Sequence, residues 1–435
     1  MQSRLQVKVW KAKALPPDWF KRAKTQDEKG RVTLEKDVKE IIAAVKKRGD
    51  AALVEFTEKF DKTRLTTKTM RVTPDEVKAA YRKVTKGQVA ALKLMKEKLS
   101  NMEKLALQQP RVKAAVDGVT VETVLRPIAS VGCYVPGGQA AYPSTLMMTA
   151  VPAKVAGVSR IVVCSPPTEK GTINPLILVA ADICQVDEVY KVGGVQAIAA
   201  LAYGTECIKP VKKIVGPGSK YVTLAKVLVS QDVAIDMPAG PSEVLVLADE
   251  TANPKLIAAD MISQAEHGAD SIAGLVTTSE KVAEETLACL KDNSASPERG
   301  DIIRASLSTY GFIVTCESIK EMTELANAFA PEHLEIMTRQ PSEISAKITS
   351  AGLILIGSYS PVALSDYGSG TNHVLPTGGF GSAFSGLSAL DFTRRISIVE
   401  SSKEGLVKLK NHVKVLADAE RLPNHFKAVE ARFEK

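Results

Sequence analysis

The chain has no apolar run long enough to cross a membrane. The nearest, LMMTAVPAKVAGV (146–158), is broken by Pro152 and Lys154. Its first residues, MQSRLQVKVWKAK, are charged where a secretory signal needs an apolar core, so a cytoplasmic location is expected. It has no C-x-x-C pair: Cys133, Cys164, Cys184, Cys207, Cys289 and Cys316 are scattered. That argues against a disulfide framework and a thiolate zinc site, and leaves most of them as small buried hydrophobes. Aromatic residues make up only 5%, and the basic residues behind the net charge of +8 gather in no single arm. In KRAKTQDEKGR and KLMKEKLSNMEK they alternate with acids, the pattern of solvated helix faces rather than of a nucleic-acid footprint. A basic chain also suits anionic small molecules such as dinucleotides. Yet no complete G-x-G-x-x-G occurs; GPGSKY (216–221) comes nearest, with Tyr221 in place of the third glycine.

What is present is the composition of a globular enzyme: 435 residues, 45% hydrophobic and 24% charged. That length predicts two α/β domains with extensions. Residues 1–30 read as a polar, irregular arm. From 33 to 106 the pattern is helical: TLEKDVKEIIAAVKKRGDAALVEFTEKFD, TPDEVKAAYRKV and QVAALKLMKEKLSNMEKLAL. Strand-rich chain begins at VTVETVLRPIASVGCYVPGG. Strands such as RIVVC, EVYKV and KKIVG then alternate with helices such as NPLILVAADICQ and VQAIAALAYGT, the signature of a parallel sheet. A second series runs through EVLVLAD, IAGLVTTS, GFIVTC, LEIMT and GLILIGS. The predicted fold is two Rossmann-like parallel-sheet domains without a full glycine fingerprint, with helical extensions at both ends. One domain is discontinuous, 31–133 with 242–387; the other is 134–241; a helical tail, 388–435, reaches a partner.

Three glycine loops sit at loop-to-helix junctions: VPGGQAAYPS (135–144), VGGVQAIA (192–199) and GPGSKY. They fit a phosphate-binding crevice at strand ends, or are tight turns alone.

Only five histidines occur, and four have conspicuous contexts. In AADMISQAEHGAD (258–270), Gln264 and His267 are three apart, hence on one face of a helix that KLIAADMISQAEH would carry, with Asn253 as cap, Pro254 in the first turn and Gly268 as stop. His267 there either complements the helix dipole or holds a ligand. His333 follows Glu332 in FAPEHLEIM, either a base pair or a solvated strand edge. His373 lies seven residues after Asp366 in SDYGSGTNHVLPTGG, and His425 lies in AERLPNHFKAVEAR. His412, on a lysine-rich helix, reads as surface. Imidazole and oxygen ligands without thiolate suit zinc, and Gln264, His267, Asp366 and His425 could supply such a set.

These contexts, with YVPGGQAAYPSTLMMTAVPAKVAGV, GGVQAIAALAYGT, DMPAGPSEVLVLAD, APEHLE, FSGLSALDFTRR and AExLxxH, closely resemble the histidinol dehydrogenase family over about residues 35–432. The resemblance implies one zinc per subunit, held by Gln264, His267, Asp366 and His425, with His425 supplied across a homodimer. It implies Glu332 and His333 as the catalytic pair, and Ser144, Ser242, His373 and Glu420 as substrate contacts beside the ligands. It implies NAD contacts at Tyr134, Gln196 and Ser219. The chain departs at Ser219, where the family commonly carries the longer Asn.

The implied reaction takes L-histidinol through L-histidinal to L-histidine, the last step of histidine biosynthesis, with two NAD and one water. His333 would take the alcohol proton and Glu332 would activate the water that hydrates the aldehyde; keeping the aldehyde in one site protects it. Two rivals share the motifs. A paralogue could oxidise another small polar alcohol, such as a sulfonated diol, although a carboxylate at Glu420 suits a cationic amino alcohol and repels a sulfonate. A zinc hydrolase could use Glu332 as water base and would need no NAD. Neither a nucleic acid nor a membrane is an expected partner.

Overall fold

A computed structural model describes residues 5–16, 28–108, 112–137, 141–237, 239–294 and 298–434. The apolar runs form parallel strands, most of them buried on both faces, as parallel sheets covered by helices require. One sheet has five strands in the order Glu188–Tyr190, Arg160–Cys164, Ser130–Tyr134, Lys213–Val215 and Ala234–Ile235. The other has six: Lys8–Lys11, Phe312–Thr315, Ile272–Thr277, Glu243–Ala248, His333–Met337 and Leu353–Ile356. All neighbours in both pair in parallel. Leaving aside the Lys8–Lys11 edge, each sheet reads 3-2-1-4-5 when its strands are numbered along the chain. That is a doubly wound order, with a reversal between the first and fourth strands. The two-domain α/β expectation therefore holds.

Four expectations about the parts need correction. The helices of 28–107 do not join the 242–387 unit. Leu34, Val38, Val45, Leu53 and Phe56 share a core with Val162, Ile198 and Leu201, while Leu92, Met95 and Leu99 share one with Val131, Ile161 and Leu146. Their apolar faces match the sheet that follows them in sequence. The boundary at 133/134 also falls inside strand Ser130–Tyr134, the centre of the five-stranded sheet. Nor is the first arm wholly irregular, because Lys8–Lys11 adds an edge strand beside Phe312–Thr315; residues 1–4 and 17–27 lie outside the described residues.

The tail is not purely helical either. Strand Thr393–Ser401 runs antiparallel to Val119–Pro127, which pairs with Lys113–Val116. Only then come helices Lys403–Ala419 and Pro423–Glu430. This arm leaves Ile396, Ile398, Val399, Val407, Val415, Leu416 and Leu422 exposed. Contiguous exposed apolar surface of that kind marks a contact face. Among the described residues, no helix is long and apolar enough to cross a membrane.

The loop after strand Lys213–Val215 is pinned by a buried ion pair. Lys226, 2% exposed, pairs with Asp236 and donates to the Gly216 carbonyl (2.9 Å). Asp236 accepts from the Gly216 N–H (2.7 Å). Gly216 itself has φ 115°, and a Cβ there would strike the Tyr134 carbonyl oxygen. Only glycine lets the loop lie so close to the first strand. Lys226→Met strands Asp236 as a buried charge, which costs about 3–5 kcal/mol. The urea denaturation midpoint should fall accordingly, and an unchanged midpoint would show that the pair adds no net stability.

Candidate active site

The Glu243–Ala248 and His333–Met337 strands lie side by side, with His333 paired to Val244. Their starting ends form the centre of the site. Glu332 accepts the Glu243 N–H at 2.7 Å, and Glu243 accepts the Glu332 N–H at 3.3 Å. Glu243 also accepts from Gly378 N–H at 3.0 Å. All three side chains, Glu243, Glu332 and His333, are buried. The solvated-edge reading of Glu332–His333 is thereby replaced.

His333 Nδ1 lies 3.1 Å from the Glu243 carbonyl oxygen. A carbonyl can only accept, so Nδ1 carries the proton and Nε2 carries the lone pair. Nε2 is buried and has no partner. Burial pulls the imidazole's proton affinity down, but the Glu332 and Asp366 charges outweigh it and hold the pKa above 6.5. Glu332 Oε2 stands 3.5 Å from Nδ1. The arrangement is a fixed tautomer with a free base atom.

The helix with Gln264 starts as its sequence requires: Asn253 accepts from the Lys255 N–H (3.0 Å), and Pro254 occupies the first turn. It ends at Ala265 rather than carrying through His267, and Gly268 takes no left-handed φ. His267 sits in the following turn, with its N–H on the Gln264 carbonyl at 3.3 Å, and is exposed. Gln264 is 1% exposed, and its side-chain oxygen has no donor. An unsatisfied buried carbonyl costs about 1–3 kcal/mol, so an oxygen left so is one that awaits a ligand.

Asp366 comes from helix Val362–Tyr367 and is buried. Its Oδ1 lies 3.2 Å from His373 Nδ1, near enough for an ion pair but off the line of a well-formed hydrogen bond. Burial raises the Asp366 carboxyl, and the His373, His333 and His267 imidazoles more than reverse that, leaving it below the usual value. Tyr142, two residues before Ser144, lies close enough to Tyr367 to act on its hydroxyl. Ser144 is buried in the first turn of Pro143–Ala156, and Ser242, half-buried, immediately precedes Glu243. One chain thus gathers Gln264, His267, Glu332, His333, Asp366 and His373.

Glu420 and His425 are not gathered there. Glu420 caps helix Lys403–Ala419, His425 lies on Pro423–Glu430, and both are exposed in a pair of helices packed on each other. Among the described residues, no three His, Cys, Asp or Glu side chains are set to hold an ion. The donor chemistry fits zinc, and the orphaned Gln264 oxygen is the local sign of it.

A second feature lies at the carboxyl ends of the other sheet. A cavity of 620 Å³ is lined by Gly194, Gln196, Ser219 and Tyr221, with Phe56 and Phe60 opposite. It adjoins the reversal between strands Ser130–Tyr134 and Lys213–Val215, where doubly wound sheets bind ligands. The Gly194 N–H donates to the Tyr134 hydroxyl (3.1 Å). Gln196 is 1% exposed, and neither polar atom of its amide has a partner. Ser219 is exposed at the start of helix Lys220–Val229. Of the three residues expected around a dinucleotide, Gln196 and Ser219 line this crevice, while Tyr134 lies behind it and meets it through Gly194. Part of the 135–144 loop, residues 138–140, lies outside the described residues.

Two groups were not foreseen. Glu243 had one signal, an acid at the head of an otherwise apolar strand, GPSEVLVLA. Asp61 had none: it lines the cavity from helix Asp50–Asp61, its Oδ2 is unpartnered, and burial pushes it up to about 6. Asp37, Glu40 and the Lys59 amine line the same cavity. Cys133 is fully buried and burial pushes its thiol up to about 12, which makes it unreactive.

Two doubly wound units, a crevice at one reversal and a buried imidazole at the other define an α/β enzyme. The family model described as histidinol dehydrogenase matches residues 22–433. Histidinol dehydrogenase of Methanothermobacter thermautotrophicus is 46% identical over 91% of this chain and 92% of its own. That of Clostridium acetobutylicum is 46% identical over 95% and 96%. The crystal structure of histidinol dehydrogenase from Elizabethkingia anophelis superposes with a TM-score of 0.92 at 37% identity, covering 99% of each chain. The chain belongs to the histidinol dehydrogenase family and is an oxidoreductase.

Proposed function

We propose that this protein oxidises L-histidinol through L-histidinal to L-histidine, the last step of histidine biosynthesis, in the cytoplasm, using two NAD per turnover and one zinc per subunit. The observation that carries the chemistry is the His333 ring, whose Nδ1 is committed to a backbone carbonyl while Nε2 stays buried, unpartnered and within the field of Asp366. Gln264, His267 and Asp366 of one subunit, with His425 of the partner subunit, would hold the metal. When bound, zinc supplies a positive charge that orients the amino alcohol through its nitrogens, and NAD supplies the hydride acceptor.

The chain's own groups do the proton work. His333 Nε2 takes the alcohol proton as the first hydride leaves carbon. Glu332, beside it, takes a proton from water as the water adds to the aldehyde carbon. His333, its first proton passed to solvent, takes the proton of the hydrated aldehyde as the second hydride leaves. With Cys133 buried and unreactive, hydration needs no thiol. Ser144, Ser242 and His373 border the substrate, and Glu420 of the partner subunit offers a carboxylate to its cationic end. Tyr134, Gln196 and Ser219 border NAD; Ser219 reaches less far than Asn would.

The stoichiometry is the first test. Histidinol consumption should yield two NADH per molecule, read by absorbance. Release of one NADH with free histidinal would overturn the four-electron reading, and turnover of histidinol without NADH would favour a hydrolase.

The acid–base roles predict a split between variants. His333→Asn should slow both oxidations by about 10²–10⁴-fold. Glu332→Gln should chiefly slow oxidation of supplied histidinal. Histidinal oxidation at the parent rate in Glu332→Gln would remove its role toward water.

Sharing of sites between subunits has its own signature. His425→Ala and His267→Ala should each be inactive. Unfolded together and refolded, they form mixed dimers in which one site carries both lesions and the other none, so activity should return. No return of activity, with mixed dimers verified by mass, would mean that each chain owns its whole site.

A further inference from the structure

Behind the proposed metal ligands lies a pair of carboxyls with no assigned part in the reaction. Asp260 stands one turn before Gln264 on the Pro254–Ala265 helix. Glu335 stands two residues after His333, on the same face of its strand, and is 1% exposed. Its Oε1 accepts the Val362 N–H at 3.0 Å. Val362 opens the short helix Val362–Tyr367, on which Asp366 follows one turn later. Pro361, the residue at that helix's cap, provides no side-chain acceptor. The strand carboxyl therefore caps the helix from outside its own sequence, a contact that satisfies an otherwise orphaned donor.

Among the described residues the other oxygen of Glu335 has no donor, and the Glu335 carboxyl is in contact with that of Asp260. What acts on the pair is burial, each other and the Val362 N–H. With Glu335 1% exposed and Asp260 half-buried, two carboxyls in contact and without a neighbouring cation among the described residues favour holding one proton between them over ionising together. Burial accordingly pushes both carboxyls upward.

We propose that Asp260 and Glu335 form a proton-sharing carboxyl clamp that holds the Gln264 helix against the Asp366 helix and so sets the spacing of those two metal-binding oxygens. The inference rests on the reading of Gln264 and Asp366 as ligands. Both are positioning residues: they act through the helices that carry Gln264 and Asp366. The position explains why two acids sit where an apolar pair would pack: each reaches from a different element to a ligand-bearing helix, and the shared proton joins them. Outer partners of this kind typically govern metal affinity by about 10–100-fold.

The test uses full-length dimer, stripped of metal and titrated with Co²⁺ against a competing chelator, with the visible bands of the bound ion as a record of its geometry. Glu335→Leu removes both contacts and should weaken Co²⁺ binding about 10–100-fold with shifted bands. Asp260→Ala, at a half-buried helix position that tolerates alanine, leaves the Val362 cap and should still weaken binding and shift the bands. It serves also if Glu335→Leu does not fold. Glu335→Gln keeps an oxygen for the Val362 N–H and offers an amide N–H to Asp260, so affinity and bands should stay close to the parent's. Asp366→Asn is the control for the ligand reading. If Asp366→Asn binds Co²⁺ as the parent does, the ligand assignment falls and the clamp with it. If Asp366→Asn loses Co²⁺ while folded Glu335→Leu and Asp260→Ala keep parent affinity and bands, the clamp alone is overturned. Glu335→Gln faring as badly as Glu335→Leu would overturn the shared proton.

Discussion

The reciprocal grip between two strand starts holds the rest of the site in register. Glu243 and Glu332 each accept the other's backbone N–H, and the carbonyl of Glu243 takes the His333 Nδ1 proton. Parallel pairing of His333 with Val244 makes this possible. In a parallel ladder the bonds slant, which leaves groups at the strand starts for side chains to satisfy. Three buried polar side chains thus sit at the mouth of a sheet without stranding their donors, and one ring nitrogen is left over for chemistry. Remove the register and the tautomer of His333 is no longer specified.

The same doubly wound order occurs in both units, yet they use opposite ends of their sheets. In the 134–241 unit the carboxyl ends open onto the cavity beside Gln196 and Ser219. In the 242–387 unit Asp249 lies at the corresponding end and satisfies backbone donors there. One of its oxygens accepts the Arg339 N–H (2.8 Å), and the other accepts the Thr251 N–H (2.9 Å). Its active edge is the amino end.

The single chain also exposes what it leaves incomplete. Its buried amide oxygen at Gln264 lacks a donor, while its C-terminal arm carries exposed apolar residues beside exposed Glu420 and His425. Burying those side chains against a second copy would remove their contact with water and deliver the imidazole together with the interface. In the proposed shared site, metal completion and assembly would both depend on the same arm.

The amino-acid sequence by itself determined the class of fold and most elements, because apolar runs separated by turn residues and helical periodicity are local signals. VGCY, RIVVC, EVLVLA and LILI became strands, and Asn253–Pro254 started its helix as the caps require. It also singled out Gln264, His267, Glu332, His333 and Asp366, through local pattern joined to family resemblance. Tertiary structure alone decided the rest. An amphipathic helix records that it has an apolar face, not which sheet will cover it, so the partner of helices 28–107 was misjudged. A helix with a polar last turn can stop a residue or two early, which moved His267 off its end. Glu243, Asp61, Asp260 and Glu335 became special only through burial and through neighbours distant in sequence. A carboxyl's environment, and hence its proton, belongs to the folded arrangement and not to the residue.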